Sequence, residues 1–209
     1  LDIQDKTNVT IFSANGASIR HCHWNLKRAN NIIIRNLKFD ELWEWDEATK
    51  GNYDSKNWDF ITIGDAGTCT NVWVDHCTFT KSYDRGVDSK GGSHEITLSW
   101  NKFVGDDRAT NPNSFVWKQI NSLESNINST TMYKFLRQNG FSTTNIATIV
   151  QGEEKTHLIG ATNKDPVNGN FKVTLHHDWF QNTWDRLPRL RGGNVHNYNI
   201  YADDTVGLV

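Results

Sequence analysis

A repeated nine-residue pattern constrains the fold of this chain more than any other feature of its sequence. Each full copy has apolar residues at its second and fourth positions and a phenylalanine at its ninth. Four copies align without gaps: "NIIIRNLKF" (31–39), "NVWVDHCTF" (71–79), "EITLSWNKF" (95–103) and "KVTLHHDWF" (172–180). A shortened copy, "NVTIF", precedes them at 8–12, and a looser one, "GNVHNYNIY", follows at 193–201. The copies start at 8, 31, 71, 95, 172 and 193, so the shortest spacings are 21 to 24 residues.

This spacing predicts the fold class. Apolar and polar residues alternate within each copy, as in half-buried strands, and a short fixed period is typical of solenoids, whose turns stack on one another. The two longer spacings, 40 and 77 residues, are one period plus an insertion. A β-sandwich would need a turn signal about every 8–12 residues, and such signals are scarce. We predict an all-β parallel β-solenoid in one domain over residues 1–209.

Three copies carry a polar residue at their seventh position, which is a candidate for the interior of the solenoid. Asn101, Asp178 and Asn199 share that position. Equal offsets stack in a solenoid, so these side chains are either an internal polar ladder or ordinary turn residues. The sequence leaves both alternatives open.

The longest spacing contains a segment of different character, residues 104–154. Apolar residues recur there at helical spacing: Val116, Ile120, Leu123 and Ile127. A second short helix would follow Ser129–Thr131 and end at Gly140, because glycine is a frequent residue at helix C-termini. We therefore predict a partly helical insertion in the solenoid.

Composition excludes two classes of function. The formal net charge is −2, so the chain lacks the basic surface of a general nucleic-acid binder. No apolar run approaches the length that crosses a bilayer. The chain has three cysteines, Cys22, Cys69 and Cys77. A disulfide between Cys69 and Cys77 is one alternative, although we favour buried free thiols.

Against this near-neutral background, the stretch "RLPRLRGG" (186–193) concentrates three arginines. Guanidinium groups stay protonated in almost any setting, so crowding them is unfavourable unless an anion lies among them. The cluster therefore predicts a local anionic ligand.

Three aspartates share a strand region with the first of these arginines. Asp59, Asp84 and Asp88 lie 12, 11 and 7 residues before the copies at 71 and 95, and Arg186 lies 7 before the copy at 193. On a solenoid such residues project from one region on turns about 4.8 Å apart. Clustered carboxylates repel unless they bind a cation or take up protons, and rigid oxygen ligands suit Ca²⁺. The alternative for any single aspartate is an ordinary surface charge.

Five stretches together resemble the pectate lyases of polysaccharide lyase family 1: "NVWVDHCTF", "YDRGVDSKGGS", "KTHLIG", "LHHDWF" and "RLPRLRGGNVH". The resemblance covers about residues 1–103 and 152–201, and W-x-D-H followed by R-x-P-x-x-R is its most specific part. It implies a secreted, extracellular enzyme with a right-handed parallel β-helix. Such enzymes cleave polygalacturonate, the acidic polymer of pectin, by Ca²⁺-dependent β-elimination that leaves 4,5-unsaturated oligogalacturonides. We expect a monomer that contacts neither nucleic acid nor membrane.

The resemblance also implies roles for single residues. The matched calcium ligands are Asp59, Asp84 and Asp88. Lys155 and Arg191 match substrate-binding residues, and Arg186 matches the base that removes the proton from C5 of the sugar. We interpret Asp75 and His76, which fill the W-x-D-H motif, as structural, because the repeat places them on a different strand from Asp59.

The chain departs from the family pattern in three respects. Asn57 stands where some relatives carry an additional carboxylate, which predicts weaker calcium binding before substrate arrives. The insertion at 104–154 has no counterpart in the pattern. A solenoid without an N-terminal capping helix exposes an apolar end, so we expect the chain to be part of a longer domain.

Three alternative functions remain. A pectin lyase acts on methyl-esterified polymer without calcium, and it would not keep the three aspartates. A polygalacturonase-type hydrolase needs an acid and a base carboxylate, and "GDDR" (105–108) offers two aspartates without that family's other motifs. A non-catalytic polysaccharide-binding β-solenoid would share the repeat, but it has no need to combine Arg186 and Lys155 with the aspartates.

Overall fold

The chain winds into stacked coils in the computed structural model, which describes residues 1–42, 45, 47, 58–82, 84–105, 110–151 and 155–205. All pairings between the described strands are parallel. One strand of each coil adds to a six-stranded sheet, in the order β1 (Asp2–Gln4), β3 (Trp24–Lys27), β5 (Asp59–Ile63), β8 (Arg85–Ser89), β11 (Lys155–Ile159) and β14 (Arg189–Leu190).

The remaining strands form a ten-stranded sheet. Its order is β15 (Asn194–Tyr198), β12 (Lys172–His176), β9 (His94–Ser99), β6 (Thr70–Asp75), β4 (Asn30–Leu42), β7 (Thr78–Ser82), β10 (Lys102–Val104), β13 (Trp179–Gln181) and β16 (Tyr201–Asp203), with β2 (Thr7–Arg20) beside β4. From β5 onward, each coil contributes one strand to the six-stranded sheet and then two strands to the ten-stranded sheet. The arrangement is a parallel β-helix, which confirms the predicted fold class.

A bend within the nine-residue copies explains why each copy from residue 71 onward yields two strands. The sixth residue has a left-handed φ between 51° and 56° in the four full copies, at Asn36, His76, Trp100 and His177, and Asn199 of the last copy has the same conformation. Asparagine and histidine are enriched among residues that adopt this conformation. The bend separates β6 from β7 and β9 from β10, so the polar middle of each copy is a corner of the coil.

The last copy lies one residue later than the sequence pattern predicts. Val173 pairs with Val195, and Phe180 pairs with Ala202, so this copy starts at 194 and not at 193. The aromatic ring of Tyr201 favours the earlier start in the sequence, whereas the ninth position of this copy is an alanine.

The later start of the last copy determines which residues belong to the predicted polar ladder. Asn101 Nδ2 donates a hydrogen bond to Asp178 Oδ1 at 3.1 Å, and Asn101 Oδ1 accepts one from the Cys77 amide at 3.0 Å. The ladder therefore exists for these two side chains. It is wrong for Asn199, which takes the sixth position of its copy, where its Nδ2 lies 3.1 Å from His177 Nε2.

The ninth-position phenylalanines form a column through the interior. The ring centroids of Phe39 and Phe79, Phe79 and Phe103, and Phe103 and Phe180 are 5.1, 4.9 and 5.1 Å apart. All four side chains are at most 2% exposed. Burying an aromatic or aliphatic side chain stabilises a fold by roughly 1.5–3 kcal/mol, so this column, with the buried second and fourth residues, explains why the pattern recurs.

The predicted helical insertion is present and contains three helices, α1 (Phe115–Ser125), α2 (Thr131–Gln138) and α3 (Thr143–Gln151), with a 3₁₀ turn at Ile127–Ser129. Five buried residues form its own small core: Val116, Ile120, Tyr133, Ile146 and Ala147. The sequence predicted the first two helices and missed α3. Its "TTNIATIVQ" is rich in β-branched residues of low helix propensity, and packing against α1 stabilises it instead.

Other expectations concern single residues. Cys22, Cys69 and Cys77 are free thiols. Within the described ranges, no helix is both long and apolar enough to cross a membrane. Asn57 and the aspartates of "GDDR", Asp106 and Asp107, lie outside the described residues.

Candidate active site

Three of the predicted aspartates converge on one guanidinium on the six-stranded sheet. Arg85 Nη1 lies 3.0 Å from Asp59 Oδ1 and 2.7 Å from Asp88 Oδ2, and Arg85 Nη2 lies 2.9 Å from Asp84 Oδ2. Asp59 begins β5 and pairs with Arg85, the first residue of the neighbouring β8. The three carboxylates are at most 4% exposed. Adjacent parallel strands therefore bring them to one buried point.

Two lysines add positive charge to this cluster. Lys90 Nζ lies 3.3 Å from Asp88 Oδ2. Lys155 begins β11, the next strand of the sheet, and its Nζ lies 3.2 Å from Asp84 Oδ1. Lys90, Lys155 and Arg85 together match the charge of the three carboxylates. We call these six residues the charged cluster.

Burial governs the protonation of the charged cluster. It raises the pKa of Asp59 well above its usual range, and the neighbouring Asp88 carboxylate raises it further. Burial also raises the pKa of Asp88, against the opposing effect of Arg85. The pKa of Lys155 is lowered by burial, which the carboxylate of Asp84 opposes. A cation seated among these carboxylates would favour their ionised form.

Arg186 lies beside β11, shortly before β14 begins, at the edge of the charged cluster. Its carbonyl accepts a hydrogen bond from the His157 amide at 2.9 Å, which fixes its backbone beside β11. The residue is 7% exposed, and its Nε and Nη1 have no hydrogen-bond partner among the described residues. Burial lowers the pKa of Arg186, and the positive charge of Arg85 lowers it further. Asp185 Oδ2 lies 3.6 Å from Arg186 Nε, which makes an ion pair but not a hydrogen bond. Buried guanidinium donors without hydrogen bonds are suited to an anionic ligand.

The other two arginines of "RLPRLRGG" have different surroundings. Arg191 Nε donates to Asn163 Oδ1 at 2.9 Å, and its Nη1 donates to the Gly160 carbonyl at 2.8 Å. These bonds hold Arg191 against the loop after β11, beside the charged cluster. Arg189 lies in β14 and is exposed.

The repeat predicts the correct sheet for these residues but not the correct register. The predicted offsets make Asp88 level with Arg186, whereas Asp88 is level with Leu158 and Leu158 with Arg189. Lys155 is level with Asp185, and Leu158 is level with Arg189. Three residues of β11 therefore correspond to four residues of the next coil, so this coil has one extra residue near Arg186.

Two members of the charged cluster, Arg85 and Lys90, were missed. Their signal lies in "YDRGVDSK", where acidic and basic residues alternate in the order Asp84, Arg85, Asp88 and Lys90. The whole stretch resembles the family, but the roles taken from the resemblance concern only its two carboxylates.

Asp75 and His76 occupy the other sheet. Asp75 Oδ1 accepts a hydrogen bond from Ser99 Oγ at 2.7 Å, and Asp75 Oδ2 lies 3.0 Å from Arg35 Nε. His76 Nδ1 lies 2.8 Å from Asp75 Oδ2. These contacts agree with a structural role for both residues.

The donor chemistry of the charged cluster fits calcium. Its acidic members offer only carboxylate oxygens, the ligands that Ca²⁺ prefers, and Asp88 Oδ1 is a buried acceptor with no hydrogen-bond partner in the described structure. Among the described residues, no three acidic, histidine or cysteine side chains lie at metal-binding distances, since the Arg85 guanidinium separates the three aspartates. Asp59, Asp84 and Asp88 fit the ion by chemistry once that guanidinium moves.

The fold and the charged cluster define a parallel β-helical protein with a buried site of mixed charge, and comparison with known proteins identifies the family. The sequence profile described as "Pectate lyase" matches residues 2–111 and 137–208. The chain therefore belongs to the pectate lyase family, which consists of polysaccharide lyases. The unmatched internal residues, 112–136, are only part of the insertion. The expectation that the insertion has no counterpart in the family is therefore wrong for 104–111 and 137–154.

Individual relatives agree with this family. Pectate lyase B of Paenibacillus amylolyticus is 51% identical over 197 residues, which are 93% of this chain and 49% of that protein. The solved pectate lyase pelN of Paenibacillus sp. 0602 has a TM-score of 0.82 and 48% identity, over 98% of this chain and 45% of that one. Pectate lyase C of Erwinia chrysanthemi, solved at pH 9.5 with 30 mM Ca²⁺, shares the fold with a TM-score of 0.60 and 22% identity, over 99% of this chain and 45% of that one. The chain spans about half the length of these relatives.

Proposed function

We propose that this chain carries the catalytic site of a pectate lyase that cleaves polygalacturonate by calcium-dependent β-elimination. The observation that carries the proposal is the side-by-side position of a buried carboxylate cluster and a buried arginine with unpaired donors. Asp59, Asp84 and Asp88 are suited to a cation, and Arg186 is suited to an anion or to its acidic proton. A polyanionic sugar whose carboxylate binds the protein through a metal ion needs a site for the cation and a site for the anion.

The chemical difficulty lies at C5 of the uronate ring. The proton on C5 is α to the C6 carboxylate, whose negative charge makes the proton reluctant to leave. A calcium ion held by Asp59, Asp84 and Asp88 would withdraw charge from that carboxylate and stabilise the enolate-like transition state.

The chain's own residues then hold the sugar and move the proton. Lys155 and Arg191 bind uronate oxygens, and Arg186 takes the C5 proton. The C5–H electron pair forms the C4=C5 double bond, the C4–O bond breaks, and the leaving oxygen takes a proton from water. A neutral guanidine is needed for the first step, and the lowered pKa of Arg186 favours it. The rate should therefore rise in the alkaline range.

The alternatives receive less support. Methyl-esterified pectin has no charged carboxylate to share a metal with Asp59, Asp84 and Asp88, so pectate is the better substrate for this site. A purely binding solenoid would gain nothing from burying the Nε and Nη1 donors of Arg186 without hydrogen bonds, because an unpaired buried donor costs about 1–3 kcal/mol.

We further propose that the protein is secreted and acts as a monomer. A long polyanion does not cross a membrane, so an enzyme that cleaves it must meet it outside the cell. One chain supplies the calcium ligands, the base and the substrate-binding residues, so the proposed reaction needs no second copy.

The test is incubation of the protein with polygalacturonate and Ca²⁺ while ultraviolet absorbance and reducing ends are followed together. We expect both signals to rise in equal amounts, because each elimination creates one unsaturated end and one reducing end. Reducing ends without absorbance would contradict the proposal and indicate hydrolysis. Fully methyl-esterified pectin is the matched control substrate and should give little product.

A further inference from the structure

Arg85 has the contacts that a bound cation would have. Its Nη1 lies 3.0 and 3.2 Å from the two oxygens of Asp59 and 2.7 Å from Asp88 Oδ2, while its Nη2 reaches Asp84. One side chain therefore contacts every carboxylate to which calcium binding is assigned. The backbone supports this position, because Arg85 is level with Asp59 on the neighbouring strand.

The Arg85 guanidinium and a calcium ion would compete for the same space. Arg85 Nη1 lies between the carboxylates of Asp59 and Asp88, 3.0, 3.2 and 2.7 Å from three of their oxygens. An ion that coordinates both carboxylates at the distances of about 2.3–2.6 Å typical of Ca²⁺ sites would overlap with that nitrogen. A monovalent and a divalent cation a few ångströms apart in a buried site also repel strongly. Binding of one therefore requires departure of the other.

We propose, building on the calcium site of the proposed function, that Arg85 is a tethered counter-cation that calcium must displace. Arg85 holds Asp59, Asp84 and Asp88 together before the metal arrives, and its competition weakens the calcium affinity of the site. The residue acts through the carboxylates and is a positioning residue.

The surroundings offer the displaced side chain a place to go. A cavity of about 480 Å³ adjoins the charged cluster, and Arg85, Asp88 and Lys90 line it together with two further carboxylates, Asp65 and Asp165. Moving into this cavity brings the guanidinium from three carboxylates to two others, so its charge stays compensated.

The experiment is a calorimetric titration of the calcium-free protein with CaCl₂. Arg85→Gln removes the competing charge, and we expect this variant to bind Ca²⁺ about tenfold more tightly than wild type. The factor corresponds to a wild-type site that Arg85 occupies in about nine-tenths of the molecules, because only the remaining tenth can bind the ion. Arg35→Gln is the matched control. It removes a guanidinium from a buried carboxylate on the other sheet, and its calcium affinity should stay within about twofold of wild type.

A second readout separates this role from simple loss of folding. In the absence of calcium, Arg85→Gln should unfold at a lower temperature than wild type, because three buried carboxylates lose their shared partner. Saturating calcium should remove most of that difference. Arg85→Lys keeps one positive charge with fewer contacts, and it should be intermediate in both measurements. It replaces Arg85→Gln should that variant not fold.

The outcomes are distinguishable. In one outcome, wild type binds calcium and a folded Arg85 variant binds it no more tightly. That result would overturn the competition but leave the calcium site intact. Absence of binding in wild type and in every Arg85 variant would overturn the calcium site itself, and the competition with it. Binding that appears only in the Arg85 variants supports the competition in its strongest form.

Discussion

The two sheets of this β-helix bury carboxylates in opposite ways. On the ten-stranded sheet, Asp75 is level with Ser99 and Arg35 in the neighbouring coils, and both contact it directly. On the six-stranded sheet, the carboxylate groups of Asp59 and Asp88 share one nitrogen of Arg85. One sheet gives a carboxylate its own partners, and the other crowds several onto a shared cation.

The difference separates structural from functional polar groups within one scaffold. On the ten-stranded sheet, Asp75 has individual partners at the same level in adjacent coils, although its Oδ2 has no hydrogen-bond partner among the described residues. On the six-stranded sheet, three carboxylates share one guanidinium, and the buried atoms Asp88 Oδ1 and Arg186 Nη1 also lack hydrogen-bond partners. Crowding of buried charges costs stability, and it is expected where a ligand binds. Four substitutions test this comparison.

The largest expected effect is that of Arg186→Met on activity. Loss of the base should lower kcat by about 10³-fold, within the range that general base catalysis contributes. The free energy of unfolding should stay equal or rise, since methionine removes two unpaired buried donors and keeps most of the volume. Kinetics on polygalacturonate and urea unfolding measure the two effects.

Arg189→Ala is the control for this variant, because Arg189 lies in the same arginine-rich stretch but is exposed. Its kcat should stay within about twofold of wild type, as surface substitutions generally do little. Equal losses in both variants would contradict the special position of Arg186.

Phe103→Ala should cause the largest loss of stability. Its ring belongs to the phenylalanine column and lies under Gly86 of β8, where an added Cβ would approach the ring to 2.7 Å. It therefore supports both sheets. The free energy of unfolding should fall by about 3–5 kcal/mol, measured by urea unfolding. A loss below about 1 kcal/mol would show that the column does not join the two sheets.

Asp178→Asn tests the ten-stranded sheet through pH. Burial raises the pKa of Asp178 to about 7, although hydrogen bonds from Asn101 oppose the shift. The folded chain then holds a proton that the unfolded chain has lost, so the wild-type free energy of unfolding falls as pH rises from about 4 to about 7. The variant cannot titrate there. It should be more stable than wild type by roughly 4 kcal/mol at about pH 8 and nearly equal at about pH 4, and a constant difference would contradict this assignment.

Ser99→Ala should have the smallest effect. Ser99 Oγ donates to Asp75 Oδ1 and accepts from Trp73 Nε1, each at 2.7 Å. Loss of both bonds should lower the free energy of unfolding by about 1–2 kcal/mol and leave kcat unchanged. Thermal unfolding and the absorbance assay check the pair, and a lower kcat would show that the two sheets do not divide their roles as described.

The sequence predicted what the repeat encodes and little beyond it. The coils, the column of phenylalanines and the sheet that holds Asp59, Asp84 and Asp88 follow from spacing, because a solenoid converts equal offsets into neighbours. The extra residue near Arg186 and the late start of the last copy do not follow from spacing, since a single inserted residue leaves no mark on composition or periodicity. Arg85 was missed because its position depends on side-chain contacts across two coils, and α3 because tertiary packing overrides its low propensity.

The most direct test of the central claim is the initial rate of double-bond formation from polygalacturonate after exhaustive removal of metal ions, followed by stepwise return of Ca²⁺. The account predicts no measurable product without the ion, full recovery on its return, and loss of that recovery in Asp59→Asn and Asp88→Asn. A rate that metal removal leaves unchanged would contradict it.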